Sequence, residues 1–245
     1  MKNTAIIIPT RLSAKRFPNK PLAKINDKPM ILHVFNRAKE SGVGEVIVAT
    51  PDIEIFDVVE KAGGSAIMTK TDHLSGSARD YEAYIKKLDN SVDLIINLQG
   101  DMPNIKPQSI SKLDRNMRNN KCDIGTLASP FQHSNEIEDA NVVKVQVDED
   151  LKSDSFLHAK DFFRIKKDLG NEKIYHHIGI YAFTTTALSK YVKLPRSKRE
   201  VERNLEQMRA MDNNMVIKVG LDDSMPLGID TKEDLEKVMK EMKKL

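Results

Sequence analysis

Along the first half of the chain, short apolar runs alternate with stretches of helical period. The runs Thr4–Pro9, Glu45–Thr50, Ala66–Thr69 and Asp93–Leu98 are brief and sharply bounded, as strands are. Between them, Met30, Ile31, Val34, Phe35 and Ala38 recur at i, i+3, i+4 spacing behind Pro29, with Gly42 as the stop. Ile55, Phe56, Val59 and Ala62 form a second such stripe, closed by Gly63-Gly64, and Tyr81, Ile85 and Leu88 mark a third. Strand and helix taking turns predicts an α/β protein with a largely parallel sheet. The near-continuous apolar character of Asp93–Leu98 predicts burial on both faces.

The second half is less regular. A helix is predicted after Pro107, through Ile110, Leu113 and Met117, and a strand over 123–128. Asn141–Val147 alternates as a half-buried strand should. Residues 150–173 are charged and poorly periodic, which predicts an excursion or small lobe. Strand returns at Ile174–Phe183 and at 215–220, with helices over 200–212 and 231–244. There is no internal repeat, low-complexity tract or linker, so 1–245 reads as one domain with an embedded lobe.

Composition narrows the function. Apolar residues make up 40%, enough for a sizeable core, but aromatics only 5%, with no Trp. Stacking platforms for single-stranded nucleic acid are scarce, and a net charge of +3 with scattered basic residues predicts no nucleic-acid surface. Cys122 is the only cysteine, which excludes an intrachain disulfide and a cysteine-based zinc site. The chain opens Met-Lys-Asn-Thr directly into a strand, without a secretory signal, and no apolar run reaches transmembrane length. A soluble cytoplasmic protein without a transmembrane segment is the expectation.

Candidate chemistry gathers at strand ends. Pro9-Thr10, Ala49-Thr50 and Gln99-Gly100-Asp101 terminate three apolar runs, and open α/β sheets bind ligands beyond such ends. Four cations, Arg11, Lys15, Arg16 and Lys20, follow the first strand, with Pro18 and Pro21 stiffening the loop. That suits a polyphosphate; the plainer alternative is a solvated basic loop. Neither a Gly-x-Gly-x-x-Gly turn nor a Walker lysine loop is present, which disfavours hydride transfer and P-loop hydrolysis. Asp101 is placed to ligate Mg2+, or to form a turn. Asp230, in Gly228-Ile229-Asp230-Thr231, is a second hard ligand or a helix N-cap. Strand geometry puts His177, Gly179 and Tyr181 on one face and turns His176 away from His177, against a zinc pair; a buried, satisfied His177 is the alternative. Glu202 and Glu206, four apart, predict one helical face, which solvation alone would explain.

Six stretches carry a pattern beyond these types: Arg11 to Arg16-Phe-Pro-Asn-Lys20-Pro-Leu22, His73-Leu-Ser75-Gly76-Ser-Ala-Arg79, Gln99-Gly100-Asp101, His176-His177-Ile-Gly179-Ile-Tyr181, Leu205-Glu206-Gln207-Met208-Arg209 and Gly228-Ile229-Asp230-Thr231. Their order and spacing resemble the CMP-Kdo synthetases, the 3-deoxy-manno-octulosonate cytidylyltransferases. The resemblance implies a three-layer αβα, Rossmann-like fold of the nucleotide-diphospho-sugar transferase type. It implies transfer from CTP to Kdo or a close 3-deoxy 2-keto sugar acid, giving the CMP-sugar and pyrophosphate for lipopolysaccharide precursors.

The same resemblance implies catalytic roles for Arg11, Lys20, Asp101 and Asp230, with both aspartates holding the cofactor Mg2+. Pro9, Thr10, Arg11, Arg16 and Lys20 would bind nucleotide, together with Thr50, Ser75, Gly76, Arg79 and Gln99. The sugar would meet Gln99, His177, Tyr181, Glu206 and Gln207. A homodimer is implied, with residues around 130–212 serving sugar binding and dimerisation. The chain departs from the family at Met102 (usually Glu), Ala78 (usually an acid), Leu157-His158 (usually Ser-Arg) and Arg203 (usually Glu). These departures concentrate in the sugar elements, so an altered sugar pocket is expected. They keep two alternatives in view: another sugar acid such as an amino-Kdo, or a non-catalytic paralogue that binds a nucleotide sugar.

Overall fold

A computed structural model describes residues 3–13, 16–73, 75–88, 91–166 and 172–242. The chain divides into Met1–Ser111 with Pro226–Leu245, and Lys112–Met225.

The first unit begins with β1 (Thr4–Pro9), a hairpin of β2 (Lys24–Ile25) and β3 (Lys28–Pro29), and α1 (Met30–Glu40). Asn26 and Asp27 at the hairpin tip both take positive φ, 47° and 64°, as a two-residue turn of this hand requires. Then come β4 (Gly44–Thr50), α2 (Ile53–Lys61), β5 (Ala66–Met68), α3 (Gly76–Ala83), β6 (Leu94–Asn97) and the start of α4 (Pro107–Asn119). The strands lie in the order β5-β4-β1-β6, all parallel, with a helix in each crossover. β1 is central, and Ile6, Ile7 and Ile8 are wholly buried on both faces. Met30, Ile31, Val34 and Ala38 bury the predicted stripe of α1, and Gly42 ends it at φ 64°. The third predicted helix starts earlier than its apolar stripe, at Gly76, and its last turn, Tyr84–Leu88, widens to a π-helix.

The second unit contains β7 (Ile124–Ser129), β8 (Lys144–Val147), β9 (Phe156–His158), β10 (Asp161–Phe163), β11 (Lys173–Thr184), α5 (Thr185–Tyr191), α6 (Lys198–Arg203), α7 (Gln207–Asp212) and β12 (Ile217–Leu221). β11 runs antiparallel to both β7 and β8, β12 lies parallel to β7, and β9 and β10 pair antiparallel with β12 and β8. α8 (Lys232–Met242) returns to the first unit.

Four expectations for this half are corrected. The stretch 150–173 supplies two paired strands, because Phe156, Phe162 and Phe163 give it enough apolar surface to bury. The strand over 141–147 begins only at Lys144, which is fully buried and donates to the carbonyls of Asp139, Val142 and Arg164 at 2.6–3.0 Å. The helix over 200–212 is two helices, because Asn204 takes a left-handed conformation, φ 52°. Glu202 and Glu206 therefore share no helix face. α5 was not expected; Thr184 caps it through Ala187 N.

Candidate active site

The carboxyl ends of β1, β4 and β6 finish level. Thr10 N donates to Ala49 O, and Leu98 N to Ile7 O, both at 3.0 Å. Pro9, Thr10, Thr50, Gln99 and Asp101 thus emerge along one edge of the first unit's sheet. Gly100 matters here for its lack of a side chain: a Cβ would lie 3.2 Å from the Thr10 side chain and 3.3 Å from Pro9 O.

The cation loop is built, not loose. Leu12 N donates to Asp52 Oδ2 at 2.7 Å, Asn19 N closes back on Leu12 O, and Asn19 turns at φ 58° into the short helix Lys20–Leu22. Phe17 is buried with Ile25, Met30, Ile229 and Val238, anchoring the loop in an apolar cluster. Of the four cations, Lys15 lies outside the described residues, and Arg11 is exposed.

Lys20 is the centre of the site. Its Nζ donates to Ile229 O at 2.6 Å and to Asp101 Oδ2 at 2.9 Å, with Asp230 Oδ1 at 3.4 Å. Arg16 Nη2 takes the other oxygen of Asp230 at 2.8 Å. Asp230 is not the helix cap: Thr231 Oγ1 accepts from Asp234 N, and Asp234 Oδ2 accepts from Asp230 N and Thr231 N. Capping by its neighbour leaves the Asp230 carboxylate for the cations. Ile229 N donates to Asp101 O at 3.0 Å, tying the two acidic segments together.

Ser75 caps α3 through Ala78 N at 3.2 Å, and Gly76 lets that turn pack on Pro9. Arg79 is buried, donating to Thr69 Oγ1 and Lys70 O. Its pKa is lowered by burial and then by the Arg11 charge, against the opposing pull of Asp52, Glu82 and Asp80. His73 pairs with Glu82. Burial raises that carboxyl, but hydrogen bonds from Lys86, His73 and Lys70 N outweigh it and hold the pKa at about 2. Leu74 lies outside the described residues.

In the second unit, His177 and Tyr181 share a face, ring centroids 5.4 Å apart, across a register shift in β11. Thr126 Oγ1 lies 2.7 Å from Ile180 O and 2.9 Å from His177 Nε2. A carbonyl only accepts, so the hydroxyl proton goes there and Nε2 must carry the proton given to Thr126. His177 Nδ1 is left as an acceptor. Burial, and then His176, lowers the His177 pKa to about 3, so the ring is neutral. His176 turns the other way, to Glu136 at 2.7 Å, as strand geometry predicts. Burial also pushes the Tyr181 phenol well up. Gln207 is buried at the start of α7; Glu206 is exposed as a residue, but desolvation around its carboxyl raises that group's pKa, against the pull of Arg209. Arg203, a departure from the family, is tied to Asp161 at 2.5 Å and Phe162 O at 2.7 Å; Met102 is buried, and His158 is exposed on β9.

Sequence reasoning missed the polar residues behind these groups: the half-buried Asp52 and the buried Asp80, Asn97 and Thr126. Asn97 had a signal, since an amide inside an otherwise apolar strand must find partners.

The mostly parallel sheet with its crossover helices is the fold of nucleotidyltransferases of known structure. The chain belongs to the cytidylyltransferase family, whose model matches residues 5–218. It is 42% identical over 238 residues to the 3-deoxy-manno-octulosonate cytidylyltransferase of Methylobacterium radiotolerans, covering 97% of this chain and 96% of that one. It is 43% identical over 236 residues to the protein of that name from Brucella suis biovar 1, covering 96% and 93%. The CTP complex of CMP:2-keto-3-deoxy-manno-octonic acid synthetase superposes with a TM-score of 0.88 at 34% identity, over 99% of each chain. A cytidylyltransferase from Leptospira borgpetersenii shares the fold, with a TM-score of 0.65 at 19% identity over 100% of this chain and 88% of that one. The resemblance carried by the motifs thus extends over nearly the whole chain.

Proposed function

We propose that the protein transfers the cytidylyl group of CTP to Kdo or a close 3-deoxy 2-keto sugar acid, giving the CMP-sugar and pyrophosphate. The observation that carries this reading is Lys20 held between Asp101 and Asp230 at the strand ends of a chain in this family. Arg11 and Lys20 hold the triphosphate, with Arg16 assisting. Ser75 and Gly76, braced by Arg79, approach the cytosine. His177, neutral and with Nδ1 an acceptor, accepts from a sugar hydroxyl beside Tyr181. The anomeric hydroxyl attacks the α-phosphorus, the bond to the bridging oxygen breaks, and pyrophosphate leaves in line. Positioning and charge neutralisation carry most of such a transfer.

The donor set fits Mg2+: two carboxylates already converge on one cationic centre, and Mg2+ takes one or two carboxylates plus substrate phosphates. Among the described residues no cluster of three or more His, Cys, Asp or Glu could hold a metal without such phosphates. Asp101 and Asp230 would hold the ion, which when bound supplies a Lewis acid that lowers the pKa of the attacking hydroxyl. A homodimer, a cytoplasmic location and a role in lipopolysaccharide precursor synthesis belong to the same reading. Among the described residues no helix is long and apolar enough to cross a membrane.

Pyrophosphate release with CTP, Mg2+ and a panel of sugar acids tests it; no release with any of them refutes it. A modified sugar acid is the second reading, favoured by the buried Met102 and exposed His158 where the family is acidic and basic. If His158 clamps the sugar carboxylate, KM for the sugar falls as pH drops toward 6, and His158→Arg flattens that dependence.

A further inference from the structure

Three side chains behind the strand end form a chain of one-way hydrogen bonds. Asp80, on α3, is 0% exposed; Asn97, the last residue of β6, is 1% exposed; Gln99, two residues on, is half-buried. Asn97 Nδ2 donates to Asp80 Oδ2, and Gln99 Nε2 donates to Asn97 Oδ1 at 2.5 Å. Acting as a carboxylate, Asp80 can only accept, which matches Asn97 turning its NH2 toward it. Its oxygen then faces Gln99 and can only accept, so Gln99 must turn its own NH2 inward. Turning either amide would set two oxygens against each other away from water, where a mispaired polar group is most unfavourable.

We propose that Asp80 and Asn97 are positioning residues that lock Gln99 with its amide nitrogen inward and its carbonyl oxygen outward, so that the strand end offers the ligand a hydrogen-bond acceptor. The ligand group it selects is a donor, a hydroxyl or an amine. This rests on the reading above, in which Gln99 meets nucleotide and sugar.

Asp80 and Gln99 interact through Asn97, so a double-mutant cycle exposes the relay. Gln99→Glu sets a carboxylate against Asn97 Oδ1 while Asp80 prevents Asn97 from turning; Tm should fall by about 5 °C. Asp80→Asn releases Asn97, because the new amide can donate to it, and Asn97 can then donate to the carboxylate. In that background Gln99→Glu should lower Tm by about half as much or less. In the ligand-free wild type, the Gln99 side-chain amide protons should exchange slowly with water by NMR, and Asp80→Asn should speed them. Asp80→Asn should also lower kcat/KM for the sugar acid by about two-fold, and by more where the turned amide predominates. Additive Tm shifts, or a Gln99 amide that exchanges freely in the wild type, overturn the proposal. Absence of CTP-dependent pyrophosphate release would instead overturn the functional reading, leaving the Tm cycle and the exchange data to judge the relay.

Discussion

One charge cluster from each unit makes a contrast in exposure. In the first, Lys20, Asp101, Asp230 and Arg16 pair with one another at a strand edge, with side-chain exposures of 13, 30, 48 and 64%. In the second, Glu200 is 1% exposed and takes Arg209 in a fork of 2.6 and 2.8 Å, with Arg209 lying 4.8 Å over the Tyr191 ring. Lys144 is sealed among three carbonyls there, and His177 is buried neutral. The same interaction type serves two ends. Partly exposed pairs are open to exchange, as the proposed role toward the triphosphate requires; the buried Glu200–Arg209 pair ties α6 to α7.

The contrast is open to attack, first where the effect is largest. Glu200→Gln leaves Arg209 buried without its counter-charge and should destabilise by about 3–5 kcal/mol, read as a Tm fall of about 10 °C. A change under about 1 kcal/mol would mean the pair is not structural. Asp101→Asn should leave Tm nearly unchanged but lower kcat about 100-fold in Mg2+-dependent pyrophosphate release, like loss of other electrostatic stabilisers. Near-normal turnover at low Mg2+ would remove Asp101 from the metal site. Lys20→Ala should weaken CTP binding about ten-fold, as loss of a charge-assisted contact does, and CMP binding far less; calorimetry with both ligands checks this, and equal weakening would place Lys20 away from the triphosphate.

His177 sharpens the contrast through pH. Its folded pKa of about 3 lies below the unfolded value near 6.5, so the unfolded chain binds the extra proton first. Its share of stability is whole above about pH 6.5 and is lost toward pH 3, at up to about 1.4 kcal/mol per unit. His177→Gln should flatten that part of the urea-midpoint profile; an unchanged slope would show that the ring titrates normally. The smallest effect belongs to Arg16→Ala, which breaks an exposed pair and should alter stability by under about 0.5 kcal/mol. A Tm shift of several degrees would show that Arg16 does more for the fold than its exposure suggests.

How far the sequence could be read follows the same divide. In the first unit, β1, β4 and β6 are apolar runs ending in polar residues, so both the strands and their chemistry are visible locally. In the second, register and helix breaks depend on residues such as Asn204, whose left-handed turn no periodicity announces. Lys144 imitates a surface residue, and only its three carbonyl partners explain its burial. Sequence showed that Asp101 and Asp230 could be ligands, but not that both meet Lys20, since spacing holds no record of distance. Asp80, polar and one turn along α3, resembles any solvated acid until Asn97 is seen beside it.

The apolar cluster beneath the cation loop has a consequence for synthesis on the ribosome. Phe17, Ile25 and Met30 are sealed by Ile229 and Val238, and Lys20 meets Asp230. Asp230 is translated 230 − 101 = 129 residues after Asp101. A nascent chain can pair its first parallel strands early, yet it carries an open greasy face, and a lysine paired with Asp101 alone, until residues 229–238 emerge. A truncated product ending before residue 226 would keep most of the sheet while lacking both the second carboxylate and the seal. The candidate site therefore stays incomplete until Ile229 and Asp230 have been made.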